Sequence, residues 1–256
     1  MEKAIIPDAY VRRVISRYSL PVIMGAAPPG TQLLRASIKK WAGKYCIAIL
    51  PSGSYAKNTR IKGSTDIDIF VSLRSVTPGT CEEIYISLLK YLQNAGFEAR
   101  AQNVSIGVKY NGLSIDVIPA KHQLGSMNDH SLFSNKTQTW LKTNIYKHIR
   151  LVRESHRLTE IKVTKIWRDL NKIDFPSFYL ELTVLHALKC RLMQHPAANF
   201  ITVLEYLRDE FPNARVVDPS NTANIVSDDL SESEKTAISE AAAYSREQSS
   251  WDKVIW

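Results

Sequence analysis

Two aspartates with the spacing of a cation site, Asp66 and Asp68, lie in the alternating stretch Asp66-Ile67-Asp68-Ile69-Phe70-Val71. On a β-strand, side chains point to alternate faces, so both carboxylates share one face about 6.6 Å apart along the chain. The apolar residues between them take the other face, toward a core. Neighbouring carboxylates repel each other and resist burial. A divalent cation between them, Mg²⁺ (or Mn²⁺), relieves that repulsion, since Mg²⁺ binds carboxylates together with substrate phosphates.

A third carboxylate, Asp116, lies in a predicted hairpin. The runs Val104–Tyr110 and Leu113–Ile118 flank Asn111-Gly112, a pair that tolerates the positive φ of a tight turn. If the second run pairs beside residues 67–73, Asp116 faces the other two carboxylates. Three carboxylates on adjacent strands suit two-metal phosphoryl transfer. One ion activates an attacking hydroxyl, and the other holds a triphosphate and its leaving pyrophosphate.

A glycine–serine pair precedes the aspartates. Gly53-Ser54 follows the short apolar run Cys46–Leu50, which predicts a buried strand, and Asp66 comes twelve residues after Ser54. Glycine lets a phosphate approach the backbone, and N–H groups at a helix start favour anions. Each feature alone also fits a turn or a solvated strand edge. Their combination is hard to obtain from structural needs alone.

Composition limits the class of protein. The chain has 256 residues, 45% apolar and 23% charged, as in ordinary globular proteins, and its net charge of +8 favours polyanions. Three widely spaced cysteines (Cys46, Cys81, Cys190) exclude a disulfide scaffold or zinc knuckle and indicate a reducing compartment. The sequence contains no long apolar run and no secretory signal. We therefore expect a cytoplasmic protein without a membrane partner.

The pattern of elements changes along the chain. Helices are predicted over 31–44 and 79–95 in a mixed first half, then from Thr137 to about Glu210 with breaks at Pro176 and Pro196. A last helix is predicted over Ser231–Ala243. The expected fold class is α+β. We place a catalytic domain at 1–130, whose N-terminal helices could pack on the second lobe, and a helical domain at 131–256.

The helical half begins with a basic segment. Between Asn135 and Lys172 there are ten Lys or Arg against three acidic residues. Such a segment fits an activating or acceptor nucleic acid, whose binding would weaken with salt. It equally fits the neutralisation of two bound triphosphates.

Taken together, these motifs resemble the nucleotidyltransferases of the DNA polymerase β superfamily. Their signature is Gly-Ser, a short helix, Asp-x-Asp and a later Asp. The resemblance implies that Gly53 and Ser54 bind the triphosphate of the incoming nucleotide. It implies that Asp66 and Asp68 hold two ions, Mg²⁺ or Mn²⁺, and that Asp116 binds the ion that activates the acceptor hydroxyl.

The helical half extends this resemblance, which covers roughly residues 30–245. It is similar to the second domain of archaeal-type CCA-adding enzymes, 2′,5′-oligoadenylate synthetases and bacterial cyclic-oligonucleotide synthases (CD-NTases). By that similarity Lys165 and Ser177 reach the triphosphate, and Tyr179 is a further nucleotide contact. From the residues alone, Ser177 also fits a helix cap, with Glu181 as a loose capping-box partner, and Tyr179 fits the core. The segment Val217–Val226 matches an Asp-Pro-x-x-Pro-x-Asn-Asn motif of the synthetases only in part.

The expected reaction joins a nucleotide from a nucleoside triphosphate to a hydroxyl and releases pyrophosphate. The resemblance is closest to CD-NTases of anti-phage CBASS systems, which implies a cyclic or linear oligonucleotide messenger and an effector encoded nearby. One alternative is a terminal nucleotidyltransferase that extends RNA or tRNA 3′ ends, and protein or small-molecule acceptors also remain open. Another is a non-catalytic nucleotide- or RNA-binding module. RNA is therefore an expected partner only as activator or acceptor.

Overall fold

A mixed sheet forms the first half of the protein. The computed structural model describes residues 7–20, 28, 30–63 and 66–256. The sheet has the order β1-β2-β5-β4-β3, with β6 on β5 and β7 on β6; β2 and β5 are parallel, and the other pairs are antiparallel. Its strands are β1 (Cys46–Pro51), β2 (Ile67–Leu73), β3 (Glu98–Ala101), β4 (Ile106–Tyr110), β5 (Leu113–His122), β6 (His130–Ser134) and β7 (Thr139–Thr143).

Helices cover the sheet and build the second half. The described helices are α1 (Pro7–Tyr18), α2 (Gln32–Ala42), α3 (Gly53–Lys57), α4 (Cys81–Asn94), α5 (Ile145–Glu154), α6 (Leu158–Leu170), α7 (Ser177–Ala187), α8 (Pro196–Asp209) and α9 (Glu232–Arg246). A small hairpin of β8 (Val217–Asp218) and β9 (Asn221–Ile225) follows α8. In the part of the chain that the structure describes, no helix combines the length and apolar character needed to span a membrane.

Several predicted elements are confirmed. Strand β2 spans the predicted residues, and α4 begins with a capping box between Thr80 and Glu83. The Asn111-Gly112 turn has φ of 48° and 72°, as a two-residue hairpin with right-handed twist requires. The breaks at Pro176 and Pro196 are confirmed by the starts of α7 and α8.

Two predictions are wrong. Helix does not begin at Thr137, because residues 139–143 form strand β7 and the first helix of that region starts at Ile145. Trp140 and its neighbours belong to a strand that pairs with β6. The sequence of this short segment alone does not reveal that pairing. Strand β1 is not buried, because it lies at the sheet edge, where Ile47 is half exposed.

Three apolar cores hold these elements together. One face of the sheet packs on α2 and α4, with Ile69 and Val117 buried beneath Leu88. A large core fills the helical half and includes Val11 and Val14 of α1. A small third core around Phe70, Ala120, Leu132 and Ile145 lies on the other face of the sheet. Because side chains alternate, the residues between the core positions of β2 and β5 face the helical half.

Candidate active site

The aspartates of two neighbouring strands lie side by side. In the parallel ladder of β2 and β5, Asp68 pairs directly with Asp116. Both are partly buried, and both alternate with fully buried core residues. Asp66 precedes β2 and is exposed. The predicted pairing of Asp116 beside residues 67–73 is therefore confirmed.

The glycine of the Gly-Ser pair lies against one of these carboxylates. Gly53 opens α3 with φ of 53°, and a Cβ built on it would lie 1.8 Å from Asp68 Oδ2. The Ser52 N–H donates to the Asp68 carbonyl at 2.9 Å, which fixes the chain entering α3 to β2. Only glycine allows this approach, because any side chain would displace the carboxylate. We call residues 52–59 the Gly53 loop.

Burial and mutual repulsion raise the pKa of both paired aspartates. Burial, followed by the charge of Asp116, raises the pKa of Asp68 to about 6, although Lys57 and Lys165 oppose the shift. Burial and the charge of Asp66 likewise raise the pKa of Asp116, against hydrogen bonds from Gln102 and Ser105. The two carboxyl groups thus hold a proton more readily than isolated ones.

The carboxylate oxygens fit a divalent cation that is coordinated partly by the protein and partly by a substrate. Two carboxylates in register and a third beside them are hard oxygen ligands, and the backbone of Gly53 lies close to one of them. Among the described residues, no three His, Cys, Asp or Glu side chains are already gathered closely enough to hold an ion. These residues suit an ion whose remaining ligands come from phosphates.

Lys165 lies beneath the Gly53 loop. Its ammonium is 2.7 Å from Glu181 Oε1 and 3.0 Å from Thr59 Oγ1, and the side chain is only 2% exposed. Lys57, the last residue of α3, contacts the other oxygen of Glu181 at 2.7 Å. A buried set of charges therefore joins the Gly53 loop to α6 and α7.

The other two helical candidates differ in position. Ser177 is the first residue of α7, and its hydroxyl accepts from Arg168 at 3.0 Å. It makes no cap hydrogen bond, and Glu181 bonds the lysines instead of a capping box. Tyr179 has no exposed surface and packs on Phe175 and Phe211 in the helical core.

The sequence did not single out Lys57, Thr59 or Gln102 as functional residues, and it suggested Glu181 only as a helix-capping partner. The sequence does contain a signal for Lys57, because this basic residue lies only three positions after Ser54 of the Gly-Ser pair. Glu181 also stands alone as a charge in the apolar run Phe178–Leu185. A charge that must be buried in a helix needs a partner, and this predicts an ion pair.

The Val217–Val226 segment has a structural role here. Asp218 accepts from the Ser220 backbone N–H at 2.7 Å and lies 2.8 Å from His148 Nε2. Burial alone would raise the pKa of Asp218, but its bonds with His148 and Ser220 lower it. The hairpin of β8 and β9 is thereby fixed to α5.

No family model matches the chain. A cyclic AMP-AMP-AMP synthase of Escherichia coli (strain MS 115-1) is 24% identical over 235 residues, covering 76% of the chain and 73% of the relative. A CBASS oligonucleotide cyclase CdnC of Escherichia coli (strain KTE188) is 26% identical over 160 residues, 55% of the chain and 51% of the relative. The chain thus spans about half the length of that cyclase.

Structural similarity extends over almost all of the chain. The Bradyrhizobium diazoefficiens CD-NTase CdnG, solved in complex with GTP, superposes with a TM-score of 0.79 at 14% identity, covering 95% of this chain and 91% of CdnG. The chain therefore has the fold of the CD-NTases. The expected α+β, polymerase β-like fold is confirmed, and the helical half of this CD-NTase-like chain is part of the match.

Proposed function

We propose that this CD-NTase-like chain makes a cyclic or linear oligonucleotide messenger from nucleoside triphosphates in anti-phage defence. The observation that carries the proposal is the contact of Gly53 with Asp68, which is itself in register with Asp116. A loop backbone without a side chain at residue 53 lies beside a carboxylate pair, and this supports phosphate binding there. An effector that responds to the product belongs to the same proposal.

Each residue of the site has a proposed role. Gly53 and Ser54 bind the triphosphate through the loop backbone, with Ser177 at the nearby start of α7. Lys165 and Lys57 supply positive charge beneath the loop. Asp66, Asp68 and Asp116 hold two divalent ions, Mg²⁺ or Mn²⁺. Those ions, when bound, would neutralise the triphosphate and lower the pKa of the acceptor hydroxyl. We assign Tyr179 a supporting position in the core rather than a direct nucleotide contact.

A product assay tests the reaction. Pure protein is incubated with all four ribonucleoside triphosphates and Mg²⁺ or Mn²⁺, treated with phosphatase and analysed by mass spectrometry. We expect a small phosphatase-resistant oligonucleotide that is absent with Asp66→Ala. Pyrophosphate release without such a product would contradict a messenger synthase and indicate another acceptor.

The effect of Mg²⁺ on stability should depend on pH. The pKa of Asp68 is raised to about 6, so a proton competes with the cation below that pH. We expect Mg²⁺ to raise Tm clearly at pH 8 and hardly at pH 5, as measured by thermal unfolding with and without the ion. Asp68→Asn should abolish the response at both pH values. An equal response at both would place the cation elsewhere.

One observation favours a second candidate, the extension of RNA ends. A groove of about 630 Å³ between α5 and α7 is lined by Lys147, Arg150, Lys189 and Arg191, which could bind a phosphodiester chain. Incubation with tRNA and each triphosphate tests this candidate. A lengthened tRNA, made less efficiently at high salt, would support it; unchanged tRNA beside an oligonucleotide product would exclude it.

A further inference from the structure

We infer that Glu181 is a positioning residue that fixes the Gly53 loop and both lysines for the triphosphate. This inference rests on the proposed function, because it assigns the loop to triphosphate binding. Glu181 lies in α7 of the helical half, while the groups it holds come mainly from the Gly53 loop beside the aspartates.

Both oxygens of the Glu181 carboxylate are used. Oε2 accepts from Lys57 Nζ at 2.7 Å, and Oε1 accepts from Lys165 Nζ at 2.7 Å and from Thr59 Oγ1 at 2.9 Å. Lys165 also donates to Thr59 Oγ1 at 3.0 Å. All four side chains are buried, and Glu181 is only 1% exposed. This geometry fixes two lysines and a threonine on one carboxylate.

The charges in this set do not cancel. Burial alone would raise the pKa of Glu181, but Lys57 and Lys165 lower it to about 2, so its carboxylate is ionised. One carboxylate therefore faces two lysine amines, and burial lowers the pKa of Lys165, the more deeply buried of the two. The surplus positive charge reaches the active site, since both lysines lower the pKa of Asp68. An excess of positive charge at this place would be stabilised by a bound polyanion such as a triphosphate, which carries about four negative charges.

The contacts of Glu181 also fix the shape of the Gly53 loop. Lys57 ends α3, and the Thr59 N–H donates to the Ser54 carbonyl at 3.0 Å. The Lys57 ammonium lies 4.4 Å from the ring centroid of Phe178, next to Ser177. The residues that follow Ser54 are thus bound to α7. We expect loss of the carboxylate to misplace the loop relative to Asp68.

The test compares two isosteric changes of buried glutamates. Glu160 is as buried as Glu181 and pairs with Arg157 and Asn199 in the helical half, with no contact to the Gly53 loop. We expect Glu181→Gln to weaken binding of Mg²⁺-tripolyphosphate, measured calorimetrically, by about ten- to a hundredfold, the effect of a lost charged hydrogen bond. It should also raise KM for the nucleotide more than it lowers kcat. Glu160→Gln should lower Tm and leave both binding values unchanged.

A second pair of variants, with smaller changes, tests the inference if Glu181→Gln does not fold. Thr59→Val removes the hydroxyl shared by Glu181 and Lys165, while Thr164→Val removes a hydroxyl that bonds only its own helix, to the Glu160 carbonyl. We expect the affinity for tripolyphosphate to fall with the first change only. Glu181→Asp should restore part of the affinity lost in Glu181→Gln.

The outcomes separate this inference from the proposed function. Equal tripolyphosphate affinity in wild type and Glu181→Gln would make Glu181 merely structural and overturn the inference. The same holds if the wild-type protein does not bind tripolyphosphate. Binding that depends on Glu181, in a protein that releases no pyrophosphate, would support the inference while the proposed function fails.

Discussion

Asp68→Asn is expected to abolish turnover and yet leave the metal-free protein as stable as wild type or more stable. The loss of activity should exceed about a thousandfold, since the proposed two-metal chemistry depends on this carboxylate. Most substitutions of a buried polar residue destabilise a protein. Here the native carboxylate is buried beside Asp116, and its ionised form is the unfavourable one.

The sign of the stability effect follows from linkage. The pKa of Asp68 rises from 3.8 in the unfolded chain to about 6 in the folded protein. At pH well below 3.8 the residue is protonated in both states and does not change the free energy of unfolding. As pH rises toward 6 the unfolded state ionises first, so folding stability falls; the full cost is about 3 kcal/mol above that range. Asparagine does not ionise, so the Asp68→Asn variant does not lose this folding stability.

Denaturant unfolding in chelator, from pH 4.5 to 8, measures the difference between variant and wild type. Asp218→Asn is the matched control, because the pKa of buried Asp218 is lowered despite its burial by bonds with His148 and Ser220. That variant should be less stable than wild type at neutral pH. A clear loss of stability in Asp68→Asn as well would identify Asp68 as a structural hydrogen-bonding residue instead.

Among the glycines that the structure describes, Gly53 is the one at which an added methyl group should lower activity most. Its Cβ would lie 1.8 Å from Asp68 Oδ2, so either the loop or the carboxylate must move. A displacement of about 1 Å at a reacting centre costs on the order of a hundredfold in rate. We expect kcat/KM to fall by at least that factor, measured as pyrophosphate release.

Gly43→Ala separates this clash from backbone strain. Gly43 has φ of 51°, close to the 53° of Gly53, and a Cβ on it would meet nothing within 4 Å. Both variants should lose similar stability from the positive φ. Only Gly53→Ala should lose activity. Near-normal kcat/KM in Gly53→Ala would mean that the loop does not approach Asp68 this closely in the working enzyme.

The sequence predicted the carboxylate site because its signals are local. Alternation around Asp68 fixes a face, and Asn111-Gly112 determines where the strand bearing Asp116 begins. Strand β7 was not predicted, because it forms by pairing with β6 and residues 139–143 alone do not indicate that partner.

The charges beneath the Gly53 loop were missed for a related reason. Lys57 and Glu181 are 124 positions apart, and only the packing of α7 against α3 brings them together. Lys165 was identified by resemblance, but nothing in its own segment indicated that its ammonium would be buried. Long-range partners of this kind depend on the whole fold.

Helix α1 shares its core with the helical half, although it precedes the sheet in the chain. The sheet and its helices are therefore inserted between α1 and α5, and the polypeptide crosses between the two halves twice. Cutting the chain at the border of the sheet would leave each fragment with an exposed apolar face, so the two halves are expected to unfold as one cooperative unit.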